Sequence, residues 1–230
     1  MEDFQAGQTL LFNKPRDWTS FDVVKKVRNL IKQAASLKKI KVGHAGTLDP
    51  LATGLLILCT GRHTKQIESL QGLEKGYEMV FKLGATTPSY DSEFPEENIC
   101  DTSHLTEEQI KSAMATFEGE IDQVPPIFSA IKIQGKRAFK SARKGQEVKL
   151  VPRPVHIYEF QLLEYRSPEW IRARVRCSKG TYIRALARDL GEKLGVGGYL
   201  LELTRTFIGP YRLEDAWEIE DFAAKLKGEP

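Results

Sequence analysis

From Ile171 to Cys177 the chain alternates without a break: Ile171, Ala173, Val175 and Cys177 are interleaved with Arg172, Arg174 and Arg176. Only an extended strand converts a period of two into two faces, so this segment is a strand with one apolar and one cationic side. Such a strand does not suit a doubly wound parallel sheet, whose strands are covered by helices on both faces and read as continuous apolar runs. It requires a sheet with one packed face, which is the habit of antiparallel strands. Tyr77–Leu83 repeats the pattern, with Tyr77, Met79, Phe81 and Leu83 on one side. Leu10–Asn13 reads as a short strand and Leu55–Cys59 as a buried one.

Helices interleave irregularly with these strands. Thr19 or Ser20 can N-cap a helix in which Phe21, Val24, Val27, Leu30 and Ile31 share a face, opposite Lys25, Lys26, Arg28 and Lys32. Thr106–Gln109 is a capping box that opens a helix to about Phe117. Ile183, Leu186, Ala187, Leu190 and Leu194 mark a third, amphipathic helix. The expected class is α+β: a mixed, largely antiparallel sheet flanked by helices.

The 230 residues, 41% apolar and 28% charged, have a globular composition and suit one large domain or two small ones. No internal repeat or low-complexity stretch is visible. A net charge of +3 signals no nucleic-acid partner by itself. Its distribution does: Phe128–Asp189 carries 15 Lys/Arg and 5 Asp/Glu, whereas Ser89–Asp122 carries 10 acids and one base, Lys111. A basic region of this kind is the usual footprint of a polyanion. Within it, residues 124–154 open on Pro125-Pro126, close on Pro152-Arg153-Pro154, and read as a basic insertion. Cys59, Cys100 and Cys177 form no CxxC pair, so neither a disulfide framework nor a cysteine zinc site is expected. The start MEDFQAGQ is acidic and polar, unlike a signal peptide, and the apolar run Leu51–Thr60 is too short to span a bilayer. These features point to a soluble protein of a reducing compartment.

Three constellations could carry chemistry. Gly43–Gly54 (GHAGTLDPLATG) has glycines for a tight turn but neither the Gly-Lys-Ser/Thr ending of a P-loop nor a G-x-G-x-x-G spacing. It leaves Asp49, with His44 five residues earlier. On the residues alone Asp49 is either a turn cap preceding Pro50 or a reactive carboxylate, and His44 either a structural or a functional histidine. Cys177–Arg184 (CSKGTYIR) is a strand end turning into a helix, where Lys179, Tyr182 and Arg184 cluster. An arginine there can grip a phosphate, hold a carboxylate ionised, or simply decorate a solvated first turn. Tyr77, in Lys75-Gly76-Tyr77, is a sheet-face aromatic or a base-stacking one.

In this order the segments resemble the TruB family, the bacterial tRNA pseudouridine-55 synthases. The strings are Asn13-Lys14-Pro15 with Trp18-Thr19-Ser20, GHAGTLDPLATGLLILCTG (43–61), KGYEMVFKLGATTPSYDSE (75–93), VPPIFSAIKIQGKRAF (124–139), SARKGQEV with Arg153–Val155, CSKGTYIRALARDLG (177–191) and LTRTFIGPY (203–211). They span roughly residues 8 to 217. The resemblance implies a pseudouridine synthase fold and isomerisation of one T-loop uridine, whose base is detached at N1 and rejoined through C5. It places the essential carboxylate on Asp49, the stacking and proton-transfer tyrosine on Tyr77, and the arginine that pairs with the aspartate on Arg184. Tyr182 and Leu203 match pocket residues, His44 the histidine that fills the space of the flipped nucleotide, and Lys14 a supporting lysine. Residues 124–154 correspond to the tRNA-gripping thumb loop, with Lys132, Lys136 and Arg137 among its phosphate contacts. Neither a metal nor an organic cofactor is implied.

Three positions depart from the family pattern: Asp17 stands for a Gly, Phe94 for a Gly, and Phe128 for a frequent Tyr. The chain stops shortly after Gly209-Pro210-Tyr211, so the expectation is one catalytic domain over 1–230 with no separate C-terminal RNA-binding domain. Fewer tRNA contacts outside the T arm should result. The resemblance implies a cytoplasmic monomer that acts on the T arm of tRNA without an obligatory protein partner. A guide-dependent pseudouridine synthase and a non-catalytic tRNA-binding or folding protein are the alternatives, with a phosphate-handling enzyme a distant third.

Overall fold

The computed structural model describes residues 3–129, 132–133, 136–137, 150–166 and 170–228. In chain order the elements are β1 (Thr9–Lys14), α1 (Ser20–Ala34), β2 (Val42–His44), β3 (Thr53–Thr60), α2 (Ile67–Gly72), β4 (Lys75–Leu83), α3 (Glu107–Ala115) and β5 (Gly119–Gln123). Then follow β6 (Lys132–Ile133), β7 (Lys136–Arg137), β8 (Arg153–Arg166), β9 (Trp170–Cys177), α4 (Ile183–Lys193), β10 (Gly198–Ile208), β11 (Tyr211–Arg212) and α5 (Ile219–Lys227). The chain forms two compact units, residues 1–77 with 203–230, and residues 78–202.

In the first unit β3 is the central strand. β1 and β2 lie antiparallel to it, Lys14 opposite Gly54 and His44 opposite Leu58, while β10 runs parallel, with Arg205 beside Gly54. Leu56 and Leu58 enter a core with Phe12, Val24, Val27, Ile31 and Phe222. Leu55, Ile57 and Cys59 enter another, with Ala45, Leu70 and Ile208. Both faces of β3 are therefore covered, which is why Leu55–Cys59 reads as an unbroken apolar run instead of alternating. α1 starts at a capping box: the Thr19 side chain accepts from the Asp22 N–H, and the Asp22 carboxylate accepts from the Thr19 N–H. Its buried stripe is Ser20, Val23, Val24, Val27 and Ile31. Phe21, expected on that face, is 60% exposed, and Val23 takes its place. Positions 20, 23, 24, 27 and 31 follow the helical repeat, and Phe21 lies one step round the helix from them.

The second unit orders its strands β4-β9-β8-β5. β8 is antiparallel to both β9 and β5. Ile171, Ala173, Val175 and Cys177 have no exposure. On the opposite side Arg172 and Arg174 each donate to a different Glu78 oxygen, at 2.8 and 3.0 Å. These bonds hold the Glu78 carboxyl below its ordinary range. The Arg176 guanidinium lies 4.9 Å from the centre of the Tyr158 ring. α3 begins at the expected box, Thr106 with Gln109. A parallel β3–β10 pair among antiparallel neighbours makes the sheet mixed and largely antiparallel, with helices at its flanks, as the alternation predicts. Of the basic insertion 124–154, most lies outside the described residues. Within it β6 pairs antiparallel with β7, Lys132 opposite Arg137.

Candidate active site

In the first unit Asp49 sits on the connection between β2 and β3. The tight turn expected from the glycines of Gly43–Gly54 begins after His44, because Gly43 and His44 are already in β2. Every carbonyl from Gly46 to Pro50 is bonded. Arg205 donates Nη2 to Gly46 O at 3.2 Å and Nη1 to Thr47 O at 3.4 Å. Ser20 Oγ donates to Leu48 O at 3.1 Å and accepts from the Leu48 N–H at 2.8 Å. The Asp49 carbonyl accepts from the Ala52 N–H, and the Pro50 carbonyl from the Asp17 N–H. Lys14 Nζ also donates to Pro50 O, at 3.2 Å, and to Pro15 O and Trp18 O at 2.8 and 2.7 Å. An irregular loop is thus held as firmly as an element, and the carboxylate it carries sits between two anchored neighbours.

Lys14 is fully buried, and burial lowers its ammonium to about 8, with the Asp49 charge opposing the shift. Its three N–H donors meet three carbonyls, which is what permits a buried ammonium at all. Burial, reinforced by the Arg205 charge, pushes the His44 imidazole below its usual range, so it stays neutral near pH 7. Tyr77 is buried on β4. Leu203, also buried, lies on β10 two residues before Arg205, with its carbonyl accepting from Thr53 Oγ1 at 3.4 Å.

The second unit carries Tyr182 and Arg184 at the start of α4. Tyr182 is the N-cap residue and makes no side-chain cap of its own. Gln123 supplies one from the end of β5: its Oε1 accepts from the Tyr182 N–H at 2.8 Å, and its Nε2 donates to the Tyr182 carbonyl at 3.1 Å. Arg184 is 5% exposed and donates Nη1 to Ser89 O and Nη2 to Phe128 O, both at 3.0 Å. Its Nη1 lies 3.3 Å from an Asp91 carboxylate oxygen. Asp91 in turn accepts from Ser89 Oγ and from the Glu93 N–H. Arg188 Nη2 donates to Val124 O at 3.1 Å. Tyr182, Arg184 and Arg188 therefore grip residues 123–128, the root of the basic insertion.

Sequence reasoning missed Arg205, Asp91 and Gln123. Arg205 and Asp91 lie inside the quoted strings, but only the fold reveals what they touch. Lys132, Lys136 and Arg137 are on β6 and β7. The three departures have local explanations. Asp17 has φ 66, in the left-handed region where a glycine is free and an aspartate tolerated. Phe94 and Phe128, both unusual at their positions, pack on each other with ring centres 5.2 Å apart. No cluster of three or more His, Cys, Asp or Glu able to hold a metal occurs among the described residues. No helix among them is long and apolar enough to cross a membrane.

Comparison with known proteins agrees with the motif order. The profile of the TruB family pseudouridylate synthase N-terminal domain matches residues 32–183. That of the tRNA pseudouridylate synthase B C-terminal domain matches 184–228. A tRNA pseudouridine synthase B of Bacteroides thetaiotaomicron is 54% identical, over 96% of this chain and 93% of that one. One of Flavobacterium johnsoniae is 48% identical over 98% of this chain and 99% of its own length. Among solved structures, a chain of a Cbf5–Nop10–Gar1 complex superposes with a TM-score of 0.72 at 29% identity, covering 99% of this chain. This chain spans only 58% of that larger one. Profile matches over most of the sequence, and relatives about half identical from end to end, make this chain a member of the TruB family of pseudouridylate synthases.

Proposed function

We propose that this chain isomerises uridine 55, in the T loop of tRNA, to pseudouridine. The observation that carries the reading is the Asp49 loop, whose carbonyls from Gly46 to Pro50 are all bonded and whose carboxylate faces the charge of a buried Lys14. Such a site suits an anionic group that must keep one orientation through a reaction. The target uridine is extruded from the loop stack at a cost of about a few kcal/mol, partly offset by stacking on Tyr77 and by His44 filling the vacated space. A neutral His44 can enter a base stack without desolvating a charge. Asp49 then acts in its ionised form while the base leaves through N1 and returns through C5. Arg184, permanently charged and fixed on Ser89, Asp91 and Phe128, serves as the cation for that carboxylate. Tyr182 and Leu203 border the base, and Lys132, Lys136 and Arg137 hold phosphates. The enzyme works as a cytoplasmic monomer.

The structural likeness to Cbf5 favours a second reading, a guide-dependent synthase. One experiment separates the readings: pseudouridine formation on an unmodified tRNA and on an isolated T-arm stem-loop, with no guide or added protein, for wild type and Asp49→Asn. Wild type is expected to modify both RNAs at position 55, and Asp49→Asn to bind them and modify neither. An active Asp49→Asn enzyme sinks the mechanism. Wild-type binding without turnover transfers support to the guide-dependent or binding-only reading.

A further inference from the structure

Arg205 is 1% exposed, and its charge lies in the protein interior. Burying a guanidinium is costly unless its donors are met. Here Nε donates to Leu55 O at 2.7 Å, Nη1 to Thr47 O and Nη2 to Gly46 O. The planar fork of an arginine can reach from the loop to the strand in this way, whereas the donors of a lysine all leave one nitrogen and cannot span the same separation. The approach depends on Gly54, where φ is +100 and an added Cβ would stand 2.4 Å from the Arg205 carbonyl oxygen. β10 can therefore run against β3 closely enough to feed Arg205 beneath the loop. All these residues lie in one compact unit, residues 1–77 with 203–230.

We infer that Arg205 is a positioning residue for Asp49: it fixes the start of the aspartate loop, at Gly46 and Thr47, to β3, while Ser20 fixes Leu48 and Lys14 fixes Pro50. The inference rests on Asp49 being the reactive carboxylate. Arg205 bonds the loop backbone through Gly46 and Thr47, so its loss frees these two residues, leaving Ser20 alone to hold the segment before Asp49, and takes a donor from the buried Leu55 carbonyl. A displacement of about 1 Å in a catalytic group costs about 10²-fold in rate.

The test is the single-turnover rate of pseudouridine formation and the RNA affinity of wild type, Asp49→Asn, Arg205→Gln and Arg205→Lys. Arg205→Gln should lose about 10²-fold in rate at saturating tRNA with its affinity near that of wild type. Arg205→Lys, which keeps the charge but not the fork, should recover part of the rate and remain more than about fivefold slow. The His44 imidazole, followed by NMR, should titrate higher in Arg205→Gln and stay depressed in Arg205→Lys. If Arg205→Gln does not fold, Arg205→Lys decides alone. An Arg205→Lys rate within about fivefold of wild type overturns the inference, as does a defect that lies wholly in affinity. An inactive wild type, or an Asp49→Asn enzyme as fast as wild type, overturns the functional reading and this inference together. An active wild type with a normal Arg205→Lys overturns this inference alone.

Discussion

Lys14 holds an ammonium in a site with no solvent, and three carbonyls decide whether it can. Burial lowers its affinity for a proton, to a pKa of about 8 against an ordinary 10.5. Between those values the unfolded chain binds more protons at this residue than the folded one. Its contribution to stability therefore rises with pH across that window and is lost as pH falls through about 8. Urea unfolding on both sides of the window should show that rise in wild type and not in Lys14→Met; equal pH profiles for the two proteins would refute the burial account. Other single positions follow the same physics. Asp17 adopts a backbone conformation that costs most residues about 1–2 kcal/mol, which is why a glycine is usual in the motif. Phe94 and Phe128 are each other's packing partner, with ring centres 5.2 Å apart.

At the scale of elements, the start of α4 depends on a residue far from it in sequence. Both amide atoms of Gln123, itself 2% exposed, are spent on the backbone of Tyr182. Gln123→Ala removes the partner of the part-buried Tyr182 N–H, while the Tyr182 carbonyl keeps the Leu186 N–H, and should cost about 1 kcal/mol or more in chemical denaturation. Gln123→Glu, which sets a buried carboxylate oxygen against the Tyr182 carbonyl, should cost at least as much near neutral pH. A loss below about 0.5 kcal/mol in Gln123→Ala would mean that water replaces the side chain. The Thr106–Gln109 box was legible in the sequence because its partners stand three residues apart. The Gln123 clamp was not, because its partner is 59 residues away. The helical stripe of α1 was read with one error, Phe21. Hydrophobicity alone does not say on which side of a boundary position the core lies.

For the whole molecule, the relevant quantity is the charge distribution. The 15 Lys/Arg and 5 Asp/Glu of Phe128–Asp189 should make tRNA affinity fall steeply with salt. Replacing Lys132, Lys136 and Arg137 together by Gln should reduce the slope of log K against log salt by about 2 while leaving the saturated rate near that of wild type. An unchanged slope would remove these three from the phosphate contacts. The cationic side of β9 teaches a different lesson: Arg172 and Arg174 are engaged by Glu78, so an Arg-rich strand face is not by itself a free polyanion surface. Periodicity and motif order determined the fold class, most elements, the family and the aspartate loop, because each of these is written in residues close together in the chain. The tertiary structure alone decided that Asp91 faces Arg184, that Gln123 caps α4, and that Arg205 lies beneath the loop of Asp49. Those partners meet only when distant segments pack, and a buried charge has no visible sequence signature until the carbonyls that satisfy it are in place.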